Sequence, residues 1–376
     1  MKSIDREFVG ALGIYTIGGL FWAFLPFFVG LNVSLGGLSQ AQAGSLGSAY
    51  LLGFSLASMT ALWWAGRLDW RRLAVTAAAL VIASFLVLAR IENYLSSLAI
   101  VLAIGVMMGT FWTIAYRVFG GSEDPDRSFS IGIVVSYTVL ALVTFIIGNY
   151  VVQKYGLAGS SYLLSVVVLM LATLAFLLPQ GTKSDDQAAV PGSYRPSLSI
   201  ALALFAIFAT SFAFAGVWAF TERIGADAGF SASQIGPVIA SNLLASAAGS
   251  VLATVLGTRF GRTLPLLAGM LAMLVSVIAL ITVDSFVTYA AAVAGLGFCV
   301  GLVMPYQMGH LATLDHDNRF VLLIAAAQGI GSAAGPLAGG AAADTGGFRL
   351  LIIVTGTALI MAMLAIIFTF GKKDAT

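Results

Sequence analysis

Leu38-Ser39-Gln40-Ala41-Gln42-Ala43-Gly44 and Phe230-Ser231-Ala232-Ser233-Gln234-Ile235-Gly236 are two copies of one pattern, set 192 residues apart. At the same offset Leu51-Leu52 returns as Leu243-Leu244, Arg67 as Arg259, and Gly105-x-x-x-Gly109 as Gly297-x-x-x-Gly301. One polypeptide therefore holds two similar halves. Both are almost wholly apolar, so the repeat reads as a pair of membrane bundles facing each other, an arrangement that suits alternating access to a site between them.

Composition fixes the solvent. Apolar residues make up 60% of the chain and charged residues 9%, where a soluble domain carries about a quarter charged. A mean hydropathy of +1.00 leaves no surface that water would hold. The net charge is +2 and the basic residues form no stripe or arm, which excludes a nucleic-acid partner. The single cysteine, Cys299, excludes a disulfide framework and a cysteine metal site. No metal or cofactor is expected.

A helix needs about 20 apolar residues to cross about 30 Å of hydrocarbon. Twelve runs of that kind lie near 8–31, 41–65, 73–90, 95–119, 129–151, 160–179, 198–222, 233–257, 265–283, 286–311, 320–342 and 348–370. Met1 to Glu7 leads into the first run with no small-residue cleavage site, so that run is expected to be a retained span and not a signal peptide. With both termini in the cytoplasm, 14 of the 18 lysines and arginines fall inside. Only Arg90, Lys154, Arg223 and Arg349 fall outside, the asymmetry of the positive-inside rule. The longest polar stretch, Gln180 to Pro196, reads as a cytoplasmic linker. The expected units are therefore residues 1–179, a linker over 180–197, and residues 198–376.

Ser39 with Gln42 and Ser231 with Gln234 have the spacing of a capping box, in which the two side chains satisfy free amides at a helix start. The glycine pairs at spacing four strip bulk from one helix face and let a neighbouring helix approach.

Six plus six runs, a basic turn after the second and eighth, a polar central linker, and Gly331-Ser-Ala-Ala-Gly335-Pro336-Leu-Ala-Gly339-Gly340 together resemble the major facilitator superfamily of secondary transporters, over nearly the whole chain. In that family the turn after the second span usually reads Gly-x-Leu-Ala-Asp-Arg-x-Gly-Arg-Arg. Here it is Gly66-Arg67-Leu68-Asp69-Trp70-Arg71-Arg72, two or three residues shorter, and its second copy, Gly257-Thr258-Arg259-Phe260-Gly261-Arg262, has no Asp. The resemblance implies a cytoplasmic gate made by Arg67, Asp69, Arg71, Arg72, Arg259 and Arg262. The family's Gly-Pro antiporter motif sits in the fifth span, whereas here the pattern occupies the eleventh, so antiport does not follow. Gly335-Pro336 is expected to be a flexible or closely packed segment that can serve gating.

The resemblance assigns the cavity to the first, fourth, seventh and tenth spans. In the first, Tyr15 and Trp22 share a face with Gly19 and Pro26 at helical spacing. The matching face of the seventh carries Ser211, Phe214 and Trp218, that of the fourth Met108, Trp112 and Tyr116, and the tenth offers Tyr306 and Gln307 beyond Pro305. Tyr137, Asn242 and Gln328 add polar groups near mid-span in flanking helices, where an amide or hydroxyl must find a partner or a solute. Such walls are aromatic and poor in charge. No carboxylate lies at mid-span, and Glu222 and His310 are the titrating groups nearest the expected cavity, each near a span end.

An enzyme reading fails for want of a nucleophile and base, or a metal cluster, within a span. The expectation is an all-α membrane protein of twelve transmembrane helices in two pseudo-symmetric six-helix bundles, monomeric in a bacterial inner membrane. It would carry a small organic, aromatic or amphipathic solute by alternating access. Two alternatives stay open at this point: a proton-coupled multidrug or metabolite efflux pump using Glu222 or His310, and a non-transporting receptor or lipid scramblase.

Overall fold

In lipid every backbone N–H and C=O must be satisfied within the chain, and this chain meets the demand with helices. The computed structural model describes residues 6–91, 93–179, 196–281, 283–314, 320 and 323–371; nearly all of the expected linker lies outside them. Among the described residues there is no strand, only an isolated bridge between Arg259 and Gly261. In the first half run α1 (Arg6–Ser34), α2 (Gln40–Met59), the short α3 (Ala61–Trp64), α4 (Trp70–Leu88), α5 (Tyr94–Gly120), α6 (Pro125–Ile146) and α7 (Val152–Ala172). The second half holds α8 (Leu198–Asp227), α9 (Ala232–Leu256), α10 (Thr263–Ala279), α11 (Phe286–Leu314) and α12 (Ile324–Gly371).

Among the described residues, eight stretches are long and apolar enough to cross a membrane. Two of them, residues 127–177 and 324–370, are 51 and 47 residues long, about twice what a bilayer needs. Each is broken by a glycine in a conformation that residues with a Cβ rarely adopt, Gly156 at φ 54° in α7 and Gly347 at φ 67° in α12. The serine- and glycine-rich α2 and the 17-residue α10 are not among the eight. Side chains on the outer faces are apolar and exposed, Val287, Phe368 and Leu169 among them, as lipid contact requires.

Polar residues start the helices. The Ser39 hydroxyl accepts from the Gln42 amide at 3.2 Å while the Gln42 carbonyl oxygen accepts from the Ser39 amide at 3.0 Å. At Ser231 the Gln234 side-chain oxygen accepts from both the Ser231 amide at 3.0 Å and the Ser231 hydroxyl at 3.1 Å, so both copies of the opening pattern are helix starts. Asp69 and Asn93 cap α4 and α5 in the simpler way.

The glycine pairs carry the packing. A Cβ on Gly105 would run into the Tyr50 carbonyl of α2, and one on Gly109 into that of Phe54. In the second half Gly297 meets the Asn242 carbonyl of α9 and Gly301 that of Ser246. Tyr50 and Asn242, like Phe54 and Ser246, are 192 residues apart, so the repeat seen in sequence is a repeat of backbone contacts. Between the halves, α2 packs on α12, α6 on α9, and α1 on α8.

We expect Gly105→Leu or Gly301→Leu to cost on the order of 2 kcal/mol through forced helix separation, seen as a lower thermal unfolding midpoint in detergent. Gly66→Ala, where nothing lies within 4 Å of the new Cβ, should leave the midpoint unchanged.

Candidate functional site

The two halves touch most closely at one end of the bundle, the far face, opposite the face that carries the described ends Arg6 and Gly371. There Gly44 of α2 abuts the Pro336 carbonyl of α12, Gly340 abuts Gln40, and Gly148, in the π turn after α6, meets Gly236 of α9. Gly335, next to Pro336, packs instead within the second half, on α8 at Phe212 and Gly216. Deeper in, the Trp218 indole N–H donates to the Trp22 carbonyl at 3.1 Å across the halves, and the two rings lie 5.9 Å apart with Phe214 beside them. Tyr137 of α6 forms a side-chain hydrogen bond with Ser246 of α9, again across the halves.

One turn beyond that bond the helices part. A cavity of about 180 Å³ opens between them, lined by Phe129, Ser130 and Ile133 of α6, Ser250, Val251 and Thr254 of α9, and Pro305 of α11. No charged side chain stands in this wall. Its hydroxyls are partly engaged by their own helices: Ser250 donates to the Ser246 and Gly301 carbonyls, and Thr254 to that of Ser250.

A ladder of rings leads from the cavity into the first half. Phe129 meets Tyr116 edge-on at 5.2 Å, Tyr116 stacks on Trp112 at 5.5 Å, and Trp112 lies 4.9 Å from Tyr15 and 5.2 Å from Phe54. Tyr116 is 43% exposed, whereas Tyr15 is buried behind it and hydrogen-bonded to it. The indole N–H of Trp112 is buried and has no partner among the described residues. An unmatched donor of this kind costs about 1–3 kcal/mol unless a solute or water meets it.

The residues singled out in sequence therefore divide. Tyr15, Trp112 and Tyr116 form one cluster, Trp22 and Trp218 a second at the seam, and Tyr137 meets Ser246 across the halves, one helical turn from the cavity residues Ile133 and Ser250. Several others join helices of the second half. Asn242 donates to the Val293 carbonyl at 2.7 Å, Gln307 to the Thr210 hydroxyl at 2.8 Å, and Tyr306 to the Gly257 carbonyl at 2.8 Å. Gln328 reaches the Met304 sulfur at 3.4 Å, and Ser211 is buried with an unpartnered hydroxyl. Phe129, Ser130, Ile133, Ser250 and Thr254 were not anticipated, because they sit on the helices of the fifth and eighth apolar runs. The Gly301 contact with Ser246, one turn from Ser250, is the local feature that marks that helix face.

The basic turns lie at the open end. Asp69 accepts from the Arg72 amide and Arg71 donates to the Leu178 carbonyl, bonds that stay inside the first half. Arg67 and Arg259 are exposed, and Arg262 lies beside Gly309. Glu222 projects towards Gly30 of α1 across the seam, with one carboxylate oxygen buried and unpartnered. His310 instead bonds the Thr369 hydroxyl at 2.7 Å and packs on Phe370, inside the second half. No group of three or more His, Cys, Asp or Glu that could hold a metal is present among the described residues.

Residues 202–376 match the family model described as Major Facilitator Superfamily. Among solved structures, the fold superposes on the nucleoside transporter NupG with a TM-score of 0.74 at 13% identity, over 98% of this chain and 99% of that one. A substituted form of NupG gives a TM-score of 0.79 at 10% identity, over 98% of this chain and 100% of that one. The human organic anion transporter MFSD10 (TETRAN) gives 0.66 at 16% identity, over 96% and 99%. No curated protein matches in sequence.

The cavity's sidedness is testable. In a Cys299→Ser background, Ser250→Cys should react with a membrane-impermeant maleimide applied from the side of the chain ends, while Val81→Cys, buried in α4 within the first half, should stay protected from both sides.

Proposed function

Because residues 202–376 match the Major Facilitator Superfamily model, we propose that this chain is a transporter of that family and not an enzyme, and that it carries a small, uncharged, ring-bearing solute by alternating access. In this reading the conformation at hand is closed at the far face and open at the other. The observation that carries the solute class is the ring ladder from Tyr15 through Trp112 and Tyr116 to Phe129, ending at a cavity with no ionised wall. Planar rings favour offset stacking on a planar guest, and the Trp112 N–H supplies one unmatched donor. At about 180 Å³ the cavity falls below the roughly 300–1,000 Å³ of drug-sized sites, which favours a metabolite over a bulky drug. A nucleoside or nucleobase has this chemistry, and NupG is a nucleoside transporter. An organic anion fits less well, since no lysine or arginine lines the cavity.

Twelve spans follow if the two long stretches each count as two, broken at Gly156 and Gly346–Gly347, and α2 and α10 are added to the eight. An even count puts both chain ends on one side, and the cation asymmetry makes that side the cytoplasm, in a bacterial inner membrane and as a monomer. Residues 1–179 and 198–376 are then the two rocking bundles. Pro336 sits in the far-face seam that must open, with Gly335 beside it packed on α8 of its own half, and Asp69 with the arginines of both basic turns lies where the opposite gate would close.

A thermal-shift screen of the purified protein should find nucleosides or nucleobases among the stabilising solutes, since a ligand stabilises the state it binds. Counterflow in proteoliposomes with the best of them should show the KM rising about 3- to 10-fold in Trp112→Ala and Tyr116→Ala, the weight of a lost aromatic pair. Stabilisation by acyclic solutes alone, or unchanged KM in both variants, would refute the ring-binding site.

A second reading, proton coupling, is favoured at Glu222 over His310. Glu222 alone of the two stands at a contact between the halves, against Gly30, with Arg223 and Tyr289 nearby. Its burial therefore changes as the halves part. Glu222→Gln should abolish accumulation driven by an imposed pH gradient while counterflow persists; gradient-driven uptake at the wild-type rate would remove Glu222 from that role.

A further inference from the structure

We propose that Asp344 is a latch that holds the far face shut by capping a helix of the opposite half. It lies in the second half, two residues before the break in α12 at Gly346. Its Oδ1 accepts from the Gln40 amide at 2.8 Å and its Oδ2 from the Ala41 amide at 2.9 Å, the first two amides of α2 in the first half. The Ser39 hydroxyl is hydrogen-bonded to the same carboxylate. One turn earlier, Gly340 lies so close to Gln40 that a Cβ would collide with its carbonyl, which brings the carboxylate within reach.

The first amides of a helix have no partner inside it, and a carboxylate there is favoured by both hydrogen bonding and the helix dipole. Ser39 and Gln42 already satisfy part of this end through their own box. Asp344 satisfies two further amides, and it does so from the other side of the seam. Whenever the far face opens, α2 and α12 must separate, so both bonds break together and two amides return to water.

The repeat supplies an internal comparison. The start of α9 is the second copy of the same helix start, yet the position 192 residues before Asp344 is Val152, which has no carboxylate to offer. At that copy the halves meet through Gly148 and Gly236 backbone instead. The far-face seal is therefore asymmetric, with a charged clasp at α2 and a steric seam at α9. The clasp is the part that one substitution can release without creating a clash.

The proposal rests on the alternating-access reading, and one experiment separates the two. Spin labels at Leu35→Cys in the first half and Val287→Cys in the second, both exposed on the far face, report its width in a Cys299→Ser background in lipid nanodiscs. A second pair, Leu35→Cys with Leu95→Cys, lies wholly in the first half and reports its integrity. Asp344→Ala should raise the ratio of wide to narrow Leu35–Val287 distances about fivefold, the scale of a lost helix cap, with Leu35–Leu95 unchanged. Asp344→Asn, which keeps one acceptor and loses the charge, should give a smaller shift of the same sign. If Asp344→Ala disturbs the control pair, Asp344→Asn decides. Both widths present in the wild type, with a ratio neither substitution moves, overturns the latch alone. A wild type confined to one width in every condition, including with the stabilising solute, sinks the latch and the alternating-access reading together.

Discussion

Helices in lipid gain nothing from hiding apolar surface from one another, because the surrounding chains are equally apolar. What remains is close backbone approach, and this fold depends on it. Gly105 and Gly109 against α2, and Gly297 and Gly301 against α9, let one helix lie on the carbonyls of the next in each half. The same device joins the halves at Gly44, Gly340, Gly148 and Gly236. In the alternating-access reading proposed above, contacts within a half can be permanent, but those between halves must be separable. Small-residue seams suit that need, since they are tight when closed and leave no large hydrophobic side chain stranded when open.

The polar groups follow the same division. Asn242, Gln307, Tyr306 and His310 bond within the second half and hold its helices in register. Among the described residues, bonds that cross the seam include some of a different kind: the Trp218 indole to the Trp22 carbonyl, Tyr137 to Ser246, and Asp344 to the start of α2. All three lie on the far-face side of the cavity, which is why the bundle is shut there and parts beyond Tyr137. The Trp22–Trp218 pair and the ring ladder then stand on the border between a sealed and an accessible region, as the solute site proposed above requires.

Much of the fold is legible in sequence because helix starts and helix contacts are local chemistry. The Ser-x-x-Gln boxes predict two helix starts and the structure has both. The Gly-x-x-x-Gly pairs predict close packing, and each glycine lies on a carbonyl of the helix two places before it in the order of apolar runs. The site was legible only in part. Helical spacing groups Trp112 with Tyr116, and only the family resemblance brings Tyr15 to the same cavity; the three do form one cluster, but the cavity they lead to is walled by α6 and α9. Ser130, Ser250 and Thr254 look like ordinary small residues of spanning helices, and nothing local distinguishes a hydroxyl facing a gap from one facing a neighbour.

The sequence by itself determined the solvent, the helical class, the duplication and the positions of caps and close contacts, because each depends on composition or on residues a few positions apart. Only the tertiary structure decided which face is closed, where the cavity opens, and which polar side chains are taken up by neighbouring helices. These depend on pairs such as Asp344 with Gln40 or Tyr137 with Ser246, more than a hundred residues apart in the chain. Such pairs are brought together by the angle at which two bundles meet, and that angle is a property of the whole assembly of helices and of no single segment.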